Sequence, residues 1–213
     1  MESIDELLRQ AEVAHGHLCA GQVLGVRMAM LGCRRLGITE PRGTDRKRLV
    51  TYIEIDRCAT DAIGVVTGCR LGKRALKFRD WGKMAATFVD LPTGKAIRLV
   101  ALESSKQRAR ELYPQIADKN QQQMKAYREM DDADLFGEHW VEVEVGPKEM
   151  PGYRGERVAC AQCGEGINYD RFVERDGENL CLACANPEQR YYRPAAGRTV
   201  KDANASESRC ECA

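Results

Sequence analysis

The stretch HGHLCAG, His15 to Gly21, sets two of the chain's three histidines and a cysteine within five residues. Upstream, Ser3 and Glu6 have capping-box spacing, and Ile4, Leu7, Leu8 and Ala11 recur at helical intervals, so a first helix ends near His15-Gly16. Downstream, Val23, Val26, Met30 and Leu31 share one face of a second helix, from about Gly21 to Leu36, with Gly37 as its stop. HGHLCAG is therefore a joint between two helices. Working outward, LVTYIEI (49–55) alternates like a strand, and the CATDAIGVV that follows places Cys58 at a helix N-terminus. MAATFVDLPTGKAIRLVAL reads as a hairpin turning at Leu91 to Gly94. Residues 103–130 are helical and broken at Pro114, and HWVEVEVG (139–146) returns to alternation, with Trp140 opposite Val141, Val143 and Val145. The fold class is α+β: a core of helices on a mostly antiparallel sheet over 1–150, a four-cysteine unit over 151–190, and a tail over 191–213.

Composition bounds the function. The chain has 213 residues, 43% hydrophobic and 31% charged, as a globular protein does, and its net charge of +1 gives no global attraction to nucleic acid or membrane. MESIDELLRQ carries acids and no apolar signal region, and no 18-residue apolar run occurs, so the expectation is a cytoplasmic protein. Ten cysteines in a reducing compartment point to metal or thiol chemistry rather than disulfides.

Cys160, Cys163, Cys181 and Cys184 stand in a C-x2-C-x17-C-x2-C array, the spacing of two zinc knuckles. A pair of redox CxxC motifs is the alternative, but a unit this small needs a metal to fold. Four thiolates leave no open position, so the zinc is structural. Asp176-Gly177 reads as a turn between short strands and CLACA as the start of a helix, which together make a treble-clef or ribbon layout. Five arginines face seven acids over 151–190, a net −2, so the finger is not a nucleic-acid binder and suits protein contact or packing.

His15, His17 and Cys19 converge only if the joint bends, which Gly16 and Gly21 permit. One His and one Cys from the joint plus Cys58 make an incomplete metal shell, with the macrodipole favouring a Cys58 thiolate and Asp61 placed to order a histidine or carry a proton. Helix-capping histidines and buried apolar cysteines explain the same residues equally well. The next segment, RLGKRALKFRDWGK (70–83), has six cations against one acid. It is either an anion site or a solvated basic loop, and Trp81 either core or stacking platform. Cys33 and Cys69 read as buried fillers. Cys210 and Cys212 form a C-x-C that an incidental tail explains.

HGHLCAGQVLGVRMA, CATDAIGVVTGCRLGKRALKFRDWGKMAATF and the downstream finger together resemble the FmdE family, which takes its name from a component of formylmethanofuran dehydrogenase. The finger also looks like those of the DksA and TraR regulators, without their coiled-coil arm. The FmdE resemblance covers about residues 10 to 145 and implies an α+β core, a homodimer and a cleft site. It makes His17, Cys19, Cys58 and Asp61 the metal-binding or reactive group, with His15 supporting, and sets Lys73 and Lys83 in two signature motifs, Arg74 beside them as a further anion contact. Where the family pattern has proline, this chain has Ala20, which removes a rigid turn residue; Trp81 stands where tyrosine is common. By this analogy the site serves one-carbon or molybdopterin-related metabolism, with a second metal, a molybdopterin or methanofuran-like ligand, a small anion or an enzyme-complex partner. Formyl oxidation needs a molybdenum or tungsten pterin and iron–sulfur centres, and no separate ferredoxin-type cysteine run is present. Two other functions fit the residues: an accessory protein whose finger contacts a partner, and a thiol enzyme with Cys19 or Cys58 as nucleophile and His17 as base.

Overall fold

The structure is a computed structural model, described for residues 1–193, and it divides into two compact units, Met1–Tyr153 and the chain from Arg154 onward. Cys210 and Cys212, and nearly all of the tail, lie outside the described residues.

In the first unit, α1 (Ile4–His15) starts at Ser3, whose hydroxyl accepts from the Glu6 amide, and stops at Gly16 in the left-handed region. After the joint comes α2 (Ala20–Arg35), buried along most of its length. β1 (Leu49–Ile53), α3 (Cys58–Thr67) and β2 (Leu76–Phe78) form a crossover in which the two strands pair in parallel. β3 (Ala85–Asp90) and β4 (Ala96–Ala101) form the hairpin, α4 (Ser104–Leu112) and α5 (Lys119–Glu129) flank Pro114, and the short α6 (Asp132–Leu135) leads into β5 (Phe136–Val141). The sheet order is β2-β1-β3-β4-β5, antiparallel except for its first pair.

Residues facing the helices, among them Ile53, Ala86, Phe88, Ile97 and Leu99, join α1, α2 and α3 in the main core. α2 lies very close to α3: a Cβ on Gly25 would stand 2.5 Å from the Ala59 carbonyl oxygen. The opposite face buries Val50, Val89 and Ala96 beneath Val141, Val143 and Val145. Here the structure corrects the strand expected over 139–146. The ladder runs from Phe136 to Val141, and the later valines pack without pairing because β4 is already spanned. Two ionic pairs brace the sheet. Glu54, almost wholly buried, takes Arg98 on both oxygens at 2.6 and 2.7 Å. Asp90, equally buried, takes Arg48 at 3.0 Å twice, and Thr93 as well.

The basic segment is not one loop, since it contains a one-turn helix (Leu71–Lys73) and β2. Its cations also meet the end of the same unit. Arg74 donates to the Lys148 carbonyl and stacks on Tyr153, Lys77 donates to the Glu149 carbonyl, and Arg79 pairs with the Glu149 carboxylate at 3.0 Å.

The second unit has two hairpins, β6 (Arg157–Ala159) with β7 (Gly166–Asn168) and β8 (Phe172–Arg175) with β9 (Glu178–Cys181), followed by α7 (Leu182–Ala185). Asp176 and Gly177 both take positive φ at the β8–β9 turn, as a tight primed turn requires.

Candidate metal centres

In the finger, the sulfurs of Cys160, Cys163, Cys181 and Cys184 all lie within 4.8 Å of one another. Cys163 and Cys181 are 3.9 Å apart. Thiolates at 2.3 Å in a tetrahedron around zinc stand about 3.8 Å apart, so the donor set and its size both fit that ion. The backbone supplies further support: the Cys181 amide donates to the Cys160 sulfur at 3.3 Å and the Cys184 amide to the Cys181 sulfur at 3.4 Å. The first of these, with amides around Cys163, lowers the Cys160 pKa to about 6, while the bond with Cys181 and burial raise Cys184 to about 12, so the backbone favours a thiolate at Cys160 in particular. Arg190 reaches Cys184 at 3.5 Å, a cation beside a site that carries net negative charge once four thiolates bind one zinc.

In the core, the joint does bend. Donor atoms of His15, His17 and Cys19 lie within 4.8 Å of one another, and the two imidazole centroids are 4.9 Å apart. Cys58 is the first residue of α3, beside Cys19. Gly21 leaves the space between them, because a Cβ there would sit 3.3 Å from the Cys58 Cβ and 3.8 Å from the Cys19 sulfur. Asp61 is partnered by His15, not His17, with Oδ2 2.7 Å from Nδ1. This carboxylate fixes the tautomer that frees Nε2, the usual arrangement behind a metal-binding histidine. His15 is therefore part of the cluster itself as well as its support, and its set of two imidazoles and one or two thiols suits zinc or a similar borderline ion.

The thiolate-favouring effect expected at the start of α3 does not prevail at Cys58. Burial, then the bond and charge of the neighbouring Cys19, push its thiol above the ordinary cysteine value. Cys33 and Cys69 are buried, and burial raises both, Cys33 to about 12. Of the expected anion contacts, Lys73 and Lys83 are exposed, with Lys83 5.8 Å from the Trp81 ring, while Arg74 is turned to Lys148 and Tyr153. Trp81 is 62% exposed and so not core. Its amide and that of Lys83 donate to the Glu54 carbonyl, four residues before Cys58.

One residue of the centre has no local signature. The Ala20 amide, the first of α2, donates to Asn120 Oδ1 at 2.9 Å. Cys19, the N-cap, makes no side-chain cap of its own, so a side chain from α5 takes that place. A proline at residue 20 would have no N–H to give.

Residues 14–137 match the family described as FmdE, molybdenum formylmethanofuran dehydrogenase operon, and residues 152–190 match the prokaryotic dksA/traR C4-type zinc finger. A protein of Archaeoglobus fulgidus named as a probable S-adenosyl-L-methionine-binding protein is 30% identical over 218 positions, covering 92% of this chain and 56% of that protein. The chain thus spans about half the length of this relative. The crystal structure of a tungsten formylmethanofuran dehydrogenase FmdE-like protein from Syntrophus aciditrophicus shares the fold, with a TM-score of 0.61 and 23% identity over 89% of this chain and 95% of that one.

Proposed function

This chain belongs to the FmdE family, and we propose that its core holds a metal centre ligated by His15, His17 and Cys19, with Cys58 adjoining, that serves one-carbon or molybdopterin-related metabolism. The observation that carries the reading is the convergence of three donor atoms within 4.8 Å, one of them backed by Asp61. A bound ion with three protein ligands would supply Lewis acidity at an open position. The chain's own part is to hold Cys19 as the N-cap of α2, to fix the His15 tautomer through Asp61, and to keep the Cys58 thiol beside the open side. Burial and the neighbouring Cys19 raise the Cys58 thiol, and an ion at the adjoining centre would act the other way and favour its thiolate.

Metal content per chain tests this. Two ions per protomer are expected, one in each unit, falling to one in His17→Ala and in Cys19→Ala. One ion in the unmodified protein, retained in both variants, would sink the assignment. The Archaeoglobus relative makes S-adenosyl-L-methionine the first organic ligand to titrate once metal content is known.

A second reading, that the finger docks on a protein partner, draws on Leu182 and Tyr169, 58% and 41% exposed in a unit of net negative charge. Leu182→Ser in the full chain should then weaken capture of that partner without changing zinc content.

A further inference from the structure

A groove between α1 and α3, open to solvent along one side, has a volume of about 420 Å³, within the range of small-molecule sites. Its α1 wall is the stripe Glu6, Arg9 and Gln10, Val13 and Ala14, which helical spacing lines up on one face. Val13 is 85% exposed there, an apolar side chain with no core to join, and Val65 of α3 stands across from it.

Arginines from three separate segments rim the groove: Arg9 from α1, Arg42 from the loop after α2, and Arg70 from the basic segment. Two already have internal partners. Arg9 pairs with Glu6, and Arg42 reaches Gln10 and Glu2. Gln10 also donates to Glu6 at 2.7 Å, so the one acid in the lining is occupied. The Arg70 side chain makes no hydrogen bond or ion pair among the described residues and leaves the groove with an uncompensated cation. At the end of α3, Gly68 is in the left-handed region and has no side chain, and the Arg42 stem passes 3.1 Å from where a Cβ would be. The glycine thus lets Arg42 close that end.

We propose that this groove binds a small organic anion, a phosphate or carboxylate on an apolar body, with Arg70 as the principal anion contact, Arg42 and Arg9 assisting, and Val13, Ala14 and Val65 covering the body. Arg9 lies six residues before His15, about 9 Å along the helix, so the arginine-rimmed end of the groove stands away from the Cys/His centre, while Ala14 brings its apolar end up to His15. Its existence does not depend on whether that centre holds a metal.

Calorimetric titration of the full chain with phenyl phosphate and with octanoate tests the proposal, since the two share an anion on an apolar body and differ in whether it is a phosphate or a carboxylate. At least one should bind at sub-millimolar concentration. Arg70→Ala, and Val13→Glu, which puts a carboxylate into the groove, should each weaken that binding at least tenfold. Both positions are exposed, and unchanged thermal melting would show that both variants fold. Arg110→Ala on α4 should bind normally, and so should Cys19→Ala. The proposal is overturned if neither compound binds, if both groove variants bind as the parent does, or if inorganic phosphate binds as tightly as the organic anions. Loss of binding in Cys19→Ala would overturn it too, by moving the ligand to the Cys/His centre.

Discussion

The two units each gather cysteines around one point, by opposite means. In the finger the four sulfurs come from two knuckles within 25 residues of sequence, on short strands where, among the described residues, only Cys160, Ile167, Cys184 and Ala185 are buried. Little holds that unit together except the ion its thiols suit. In the core, the donor cluster is a joint between two long helices, and the packing of α2 on α3 and on the sheet exists whether or not an ion is bound. A closed, single-element donor set makes a staple; a mixed, partly exposed set on a frame that stands by itself makes a centre that can exchange what it holds.

The sharpest way to break this contrast is Cys160→Ala. Structural zinc contributes on the order of 10 kcal/mol to units of this kind, so the finger should lose its zinc and unfold. Limited proteolysis should then cut within 154–190, while the core's thermal transition stays where it was. Persistence of a folded finger would show that the ion is not its staple.

The core should instead respond to its buried ion pairs. Burial works against the Asp90 charge, but Arg48 and Thr93 outweigh it and hold the carboxyl below its ordinary value. Such a group stabilises the fold fully above its unfolded pKa, about 3.9, and the stabilisation is lost as pH falls through the lower folded value. Asp90→Asn should flatten acid unfolding of the core below about pH 4, and at neutral pH should cost about 1–3 kcal/mol, because Arg48 loses one of its two carboxylate partners and keeps Asp45 at 3.0 Å. Zinc in the finger should not change. Asp61→Asn should act more gently still, weakening metal at the core by about ten- to a hundredfold through His15 while leaving both folds and the finger zinc intact. An equal loss in both units would erase the distinction between them.

What could be read from sequence was local. Ser3 as a cap, Cys58 at a helix start, the turn at Asp176-Gly177 and the paired knuckles all depend on neighbours within a few residues, where spacing carries the physics. The interactions that complete the core centre run between distant segments. The sequence places Asp61 to order a histidine without saying which one, and it reaches back 46 residues to His15; Asn120 reaches back 100 to Ala20, and Gly25 is needed because α3 comes so close. No periodicity announces such contacts. The valines at 141, 143 and 145 misled for a related reason: alternation marks residues that share a buried face, and only pairing with β4 decides which of them form the strand. Segment 70–83, with Arg74 among its expected anion contacts, looked like a free basic patch because nothing in it foretells that residues 148 and 149 return to meet Arg74, Lys77 and Arg79.

The bond from Asn120 to Ala20 has a consequence in time. A proline at that position would stiffen the joint as soon as it was synthesised, whereas here the joint gains its brace only after a hundred further residues have emerged and α5 has docked. In a chain made from its N-terminus, the core centre is therefore completed late, after the sheet's first four strands exist, and an ion arriving earlier meets loose histidines and a cysteine rather than a finished site. The finger's four sulfurs span only a short stretch at the other end of the chain, so they can capture their ion almost as soon as they appear.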